Sequence, residues 1–386
     1  MTERPGVRRA TLLLAMPFAG CLPDPPAYDP CVEERSAYFS VSPQGCNGHE
    51  LTTLWEDYRE ATDLSGAAGV SQVEIALGND GIYMTDWDGN ILHAPADSSS
   101  SHFLFKSPVP GARLFGFDRD GNRLYFTASS IDTQTQRASS QIFGIDVATG
   151  ESRILADLAD TVIGAVAVVG SRFYVSNGYV TAIFTGPLDW DATAGIGDLK
   201  LCASISSLGQ VAISNGTLLG IDVAQSLLAE FDLNTCSTTQ VYPLATQDEH
   251  GYTSVLSAAE GRPYLQHCDW ATMDCLLVRV AADGTLEPMA SGYVNVSAGP
   301  AVTGENVYLI AKPVGGDEAQ FLRLYTWGDN PNSPIALAAP LSGVSQLVVN
   351  AKYVYAVECT SDAADGIFES SNVGYTATCR VLRIRR

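Results

Sequence analysis

Two short segments carry paired carboxylates at a spacing suited to a hard cation: Asp86-Trp87-Asp88-Gly89-Asn90 and Asp118-Arg119-Asp120-Gly121-Asn122. Carboxylates two residues apart can both reach a calcium ion while the glycine allows a sharp turn. Neither segment has the distal Glu or third ligand of an EF-hand loop. Each lies between two strand-like runs, where Asp-Gly-Asn is ordinary hairpin chemistry. The hairpin reading is the stronger one. In the weaker one Asp86, Asp88, Asp118 and Asp120 are candidate ligands for Ca2+, and no other cofactor is expected. The five histidines are His49, His93, His102, His250 and His267. None forms a His-x-x-x-His or His-Glu-x-x-His pair, so no zinc site is visible. There is no Gly-x-Ser-x-Gly elbow and no Walker loop. A catalytic set assembled from distant stretches stays open.

The charge balance is 22 Lys+Arg against 43 Asp+Glu, a net −21. Such a chain has no phosphate-neutralising stripe, so a nucleic-acid partner is excluded. Acidity serves solubility first; a sharper use is acidic loops that hold divalent cations or a basic partner. The nine cysteines are an odd number, so in an oxidising compartment one needs a separate role.

Residues 1–20 read as a signal peptide. Arg4, Arg8 and Arg9 precede an apolar stretch from Ala10 to Ala19, too short to span a bilayer as a helix. The stretch ends in Phe18-Ala19-Gly20-Cys21, which resembles the lipobox of bacterial lipoproteins. Phe18 departs from that family's usual Leu. The resemblance implies that Cys21 becomes a lipidated N-terminus and that the protein is held in the bacterial cell envelope. The alternative is ordinary cleavage with Cys21 left as a free thiol. Residues 21–45 follow as a tether with Pro23, Pro25, Pro26 and Pro30, a composition that favours an extended spacer.

A strand-like pair recurs along the rest of the chain: Ile82-Tyr83, Leu124-Tyr125, Phe173-Tyr174, Leu218-Leu219, Pro263-Tyr264, Val307-Tyr308 and Val354-Tyr355. Successive second members are between 42 and 49 residues apart, a period that suits one four-stranded propeller blade per copy. An apolar run before each pair reads as the innermost strand a, for example Leu114 to Phe117 or Gln346 to Val349. The pair itself lies on strand b. An alternating run after it reads as strand c, as in Gln141 to Asp146 and Leu228 to Leu233. Asp146-Val147-Ala148-Thr149-Gly150 and Ala282-Asp283-Gly284-Thr285 supply turns between strands c and d. Asn177-Gly178 supplies one between b and c.

The expected fold is therefore all-β: a seven-bladed β-propeller of four-stranded blades over residues 70–386. The repeat resembles the quinoprotein-like, YVTN and TolB propellers, a likeness of architecture without a specific family. The last strand c, Cys379 to Ile384, ends the chain. Blade seven then needs an outer strand from the other terminus, which would also remove an exposed edge. Ala37 to Val41 is the expected donor. Residues 46–69 are expected to form a helical cap, because Leu51, Leu54, Trp55, Tyr58 and Ala61 share one face at helical spacing.

With Cys21 set aside, eight cysteines allow on the order of a hundred pairings, and blade adjacency selects Cys31–Cys46, Cys202–Cys236, Cys268–Cys275 and Cys359–Cys379. Two of these pairs would staple the base of a loop joining strands b and c, restraining the loop more than the fold. These b–c loops share one rim, and restrained, variable loops on a rigid scaffold are where binding concentrates. The blade-two loop runs Ser129 to Ser140. The other candidates are His267, Asp269, Trp270 and Asp274 in blade five, Asp317 and Glu318 in blade six, and Asp362, Asp365 and Glu369 in blade seven. The function expected is a non-catalytic binding or scaffolding module for a protein, peptide or glycan, touching the membrane through its anchor alone. The competing expectation is a hydrolase or lactonase holding a divalent cation near the channel.

Overall fold

The computed structural model describes residues 43–61, 73–106, 113–131, 138–159, 163–177, 182–204, 211–214, 217–222, 227–243, 251–259, 262–269, 275–281, 285–295, 300–304, 306–313, 322–327, 335–341, 344–361 and 375–386, with Cys31 and Asp283. They form a seven-bladed β-propeller. Strands a to d of blade one are Ile75–Leu77, Gly81–Thr85, Ile91–Pro95 and His102–Phe105, each antiparallel to the next. Blade two (Arg113–Asp120, Arg123–Ile131, Ala138–Asp146, Ser152–Ala159) and blade four (Val211–Ser214, Thr217–Asp222, Leu227–Asp232, Ser237–Pro243) repeat the pattern. So do the blades between and after them.

The repeated pair explains why the sequence closes on itself. Neighbouring residues on a strand point to opposite faces, and in a propeller both faces of a blade are covered. Ile82 packs toward blade seven and Tyr83 toward blade two. Phe173 packs back onto blade two and Tyr174 forward onto blade four. Val354 and Tyr355 divide in the same way. All seven second members are at most 3% exposed. Burying each large apolar side chain contributes about 1.5–3 kcal/mol, so every blade is held by its neighbours rather than by itself.

Polar side chains add bonds across blade boundaries. Gln346 on strand a of blade seven (Val344–Val349) accepts from the Ile75 amide at 2.8 Å and donates to the Ile75 carbonyl at 3.0 Å. Asp118 on strand a of blade two accepts from Val168 N–H on strand a of blade three at 2.6 Å. The Tyr174 hydroxyl donates to the Leu233 carbonyl in the c–d turn of blade four. Arg383 donates to the carbonyls of Ala96 and Ser98 in the c–d turn of blade one. Strand a also bulges by one residue, at the same end, in blades two, three, five and seven.

The ring is closed by Leu51–Ala61, which pairs antiparallel with the last strand, Tyr375–Arg385, as strand d of blade seven. This corrects the expected helical cap. A one-residue bulge between Thr53 and Trp55 explains the misleading spacing. Leu51 packs toward blade six, whereas Leu54 and Trp55, separated by the bulge, both pack toward blade one. A strand apolar on both faces with a bulge thus mimics the i, i+3, i+4 pattern of a helix. Ala37 to Val41, the expected closing strand, lies outside the described residues. Before the closing strand, Gln44 and Gly45 pair with Ala339 and Ala338, adding a short fifth strand to the outer edge of blade six.

Blade two also gains a fifth strand. The connection after Ala182–Pro187 in blade three folds back so that Ala194 and Gly195 run parallel to Ala156 and Asp157. Trp190 of this connection lies 4.3 Å from the Arg123 guanidinium, ring to cation. It covers Gly144, where a Cβ would sit 2.9 Å from the indole.

The expected turn at Asp146 is present: its carboxylate accepts from the amides of Ala148 and Thr149, and Gly150 takes φ +72°, while Ala282-Asp283-Gly284-Thr285 falls partly outside the described residues. Asn177-Gly178 falls partly outside the described residues. Disulfides join Cys31–Cys46, Cys202–Cys236 and Cys359–Cys379. Cys268 and Cys275 are partners in the b–c register of blade five, and Cys275 is disulfide-bonded. Such bridges fit a chain folded in an oxidising, exported environment. No helix among the described residues is long and apolar enough to cross a membrane.

Two outcomes test this account. Leu54 is buried in the closing strand, so Leu54→Ala is expected to cost about 2–5 kcal/mol in urea unfolding. Gln346→Leu keeps the volume but removes both clasping hydrogen bonds. A loss of about 1–3 kcal/mol with an unchanged m value is expected, because two strand-a groups are left unpaired.

Candidate functional site

The b–c rim is built from the ends of strands b and c, and blade seven shows its construction best. Glu358 and Arg380 are register partners on Tyr353–Ser361 and Tyr375–Arg385. Arg380 Nε lies 2.5 Å from Glu358 Oε2, and Glu358 is only 1% exposed. A buried carboxylate is tolerated when a guanidinium donates to it, and removing either partner is costly. The next register pair outward is Cys359 and Cys379, whose Cα atoms are 4.1 Å apart in the disulfide. An ion pair and a covalent staple therefore fix the facing ends of strands b and c, the two stems of blade seven at this rim.

Blade five repeats the staple position in its backbone register, with His267 opposite Leu276 and Cys268 opposite Cys275. His267 and Asp269 lie on strand b, Arg262–Asp269; their side chains lie outside the described residues. Trp270, Asp274, Asp317, Glu318, Asp362, Asp365 and Glu369 also lie outside them.

The two Asp-x-Asp-Gly-Asn segments are hairpin turns, on opposite rims. Asp86 to Asn90 joins strands b and c of blade one and so belongs to the stapled rim. Its Asp86 carboxylate accepts from the amides of Asp88 and Asn90 and from the Asn90 side chain, and Gly89 takes φ +73°. Asp118 to Asn122 joins strands a and b of blade two. Asp118 is committed to the Val168 and Arg119 amides; burial pushes its carboxyl pKa up, against the opposing pull of those bonds. The fold does not bring the two acidic segments together. Among the described residues no group of three or more His, Cys, Asp and Glu could hold a metal ion.

On the a–b rim, where blades one and two meet, is a cluster that sequence reading did not single out. Tyr83, His93 and His102 stand in one row across strands b, c and d of blade one. Tyr83 and His93 are stacked at 4.5 Å, and His93 meets His102 edge-on at 5.2 Å. The Tyr83 hydroxyl donates to Asp80 at 3.2 Å. Arg119 reaches over from blade two to 3.4 Å from the Asp80 carboxylate and 5.0 Å from the Tyr83 ring centroid. Burial first, then the Asp80 charge, pushes the Tyr83 hydroxyl up to about 12, so it stays a proton donor. Burial lowers the His93 pKa; Asp80 opposes this while His102 and Arg119 reinforce it. His93 Nε2 stands 3.5 Å from Asp80, longer than a good hydrogen bond. The cluster latches two blades together around a neutral imidazole. Only the strand register, which places 83, 93 and 102 side by side, could have revealed it.

A group whose folded pKa lies below its unfolded value keeps its stability above the unfolded pKa and loses it as pH falls. For His93 that loss begins below about pH 6.5. Thermal melts of His93→Phe are expected to fall less between pH 7.5 and pH 5 than those of the parent protein; an equal fall would remove His93 from the acid response.

The chain matches no family model and no curated protein. Among solved structures it is similar to the Cps50 (Swd1) β-propeller domain of Myceliophteria thermophila, with 10% identity, 85% of this chain and 99% of that one covered, and a TM-score of 0.51. It is similar also to a putative 6-phosphogluconolactonase from Bacteroides uniformis (15% identity, 75% and 87% covered, TM-score 0.47). A third is the β-propeller domain of the Trilobed protease from Pyrococcus furiosus (12% identity, 64% and 77% covered, TM-score 0.45). At such identities the likeness is one of architecture alone; the strand order, the packing and the likeness to the Cps50 domain together lead to the conclusion that this chain is a seven-bladed β-propeller.

Proposed function

We propose that the protein is an exported, lipid-anchored propeller that binds a protein, peptide or glycan through its b–c rim without catalysing a reaction. The observation that carries this reading is the construction of blade seven. The buried Glu358–Arg380 pair and the Cys359–Cys379 bridge hold the two stems between which Asp362, Asp365 and Glu369 fall in the sequence. Pre-ordered stems lower the entropy that a loop loses when it meets a ligand. The ring beneath them is rigid, because every blade is packed on both faces. Three carboxylates in the chain between these stems favour a basic or hydroxyl-rich ligand. The lipobox-like Phe18-Ala19-Gly20-Cys21 supports the anchor.

The mature protein is to be screened on peptide and glycan arrays beside the triple variant Asp362→Asn, Asp365→Asn, Glu369→Gln. The expected result is a set of hits that the variant binds at least tenfold more weakly, with an unchanged melting temperature. Hits that survive the triple substitution would move the site elsewhere. Calcium-dependent hydrolysis of a lactone would replace the binding reading with an enzymatic one. Separately, Cys21→Ser is expected to release the protein from the membrane fraction; continued sedimentation with membranes would overturn the anchor.

A further inference from the structure

The Cys31–Cys46 bridge attaches the N-terminal tether to a definite place on the ring. Cys46 is buried in the core between blades five and six, donates its N–H to the Leu337 carbonyl, and follows the short strand on the outer edge of blade six. Asn47 donates its side-chain amide to the Ala336 carbonyl beside it. The chain then turns onto the neighbouring corner of blade seven. His49 Nδ1 lies 2.9 Å from the Arg385 carbonyl, the Arg385 amide donates to Glu50, and the Arg386 amide donates to Lys352.

This corner differs from the rest of the molecule in charge. Lys352 and Arg385 are exposed and Arg386 is half-buried. Among the described residues, Glu50 and Asp97 are the acids beside them, the latter 3.9 Å from Lys352. Among the described residues this corner carries three cations against two acids, where the whole chain carries 22 against 43. Ile335, at the start of strand d of blade six, is exposed beside the attachment point.

Resting on the lipid-anchor reading, we propose that the outer edge of blade six and the adjoining a–b corner of blade seven form the membrane-facing surface, occupied by anionic lipid headgroups. Two physical limits support it. Ten residue steps separate Cys21 from Cys31, a reach of at most about 35 Å. Four strands spaced about 4.8 Å apart make a blade roughly 15 Å deep, so the ring, two blades and a channel across, is wider than that reach. A short tether fastened to blade six keeps that edge nearest the bilayer. The local excess of cations spares this corner the repulsion that an anionic surface exerts on the acidic remainder. The stapled b–c rim is then left open to solvent, and blades two and three face away from the membrane.

The test uses the lipidated protein, produced with its own leader and inserted in vesicles of phosphatidylethanolamine and phosphatidylglycerol carrying a spin-labelled headgroup quencher. A fluorophore is coupled through p-azidophenylalanine in place of Ile335, of Lys352 or, as the distal reference, of exposed Lys200 in blade three. Quenching at 335 and 352 is expected to exceed that at 200 at least threefold. Replacing Cys31 and Cys46 by Ala is expected to bring the three positions toward equality. Equal or reversed quenching in the parent protein, with an acyl mass present on Cys21, would overturn the orientation alone. Absence of an acyl mass on Cys21 would overturn the anchor reading and the orientation with it.

Discussion

Ten register pairs between Leu51–Ala61 and Tyr375–Arg385 join the two ends of the chain, and the rest of the ring rests on that joint. A propeller blade has no core of its own; its two faces are covered by the blades on either side. If the last blade lacked its outer strand, blade seven would present an unpaired edge and the packing against blade one would lose Leu54 and Trp55. The clasp of Gln346 on Ile75 and the reach of Arg383 to Ala96 and Ser98 lie at this same boundary. Backbone pairing, side-chain burial and polar bonds thus coincide where an open chain becomes a ring.

Such a ring separates two tasks along the strand direction. The blade middles are apolar on both sides. The blade ends carry the polar groups. At the a–b rim these are spent on joining blades: Asp118 on Val168, Arg119 on Asp80 and Tyr83, Tyr174 on Leu233 in a c–d turn. At the b–c rim of blade seven the Glu358–Arg380 pair and the Cys359–Cys379 disulfide link strands b and c of the same blade. Blades two and three are joined at both ends, by Asp118 on Val168 at one and by Ser129 and Ser140 on Ile163 at the other.

The N-terminal segment also serves twice. It closes blade seven and, a few residues earlier, adds an edge strand to blade six and is locked there by Cys31–Cys46. A covalent bridge ahead of the joint fastens the N-terminal segment to blade six independently of the closing strand.

Much of the architecture was legible in the residues themselves. The Ile82-Tyr83 type of pair announces a strand buried on both faces, and its period announces seven of them, because two-sided burial is written directly as adjacent apolar residues. The Asp-Gly-Asn turns were legible for the same reason: the Asx geometry of Asp86 and the positive φ of Gly89 are local. Strand identity at 51–61 was not, since a bulge shifts the side-chain parity and only the partner strand reveals the bulge. The row Tyr83–His93–His102 was hidden too, because its members are distant in sequence and only register aligns them. What the chain by itself determined is the repeat, the turns and the cysteine count. Which N-terminal segment closes the ring and where Asp80 meets Arg119 were decided by the tertiary structure, because each depends on a pairing between segments that no local periodicity encodes.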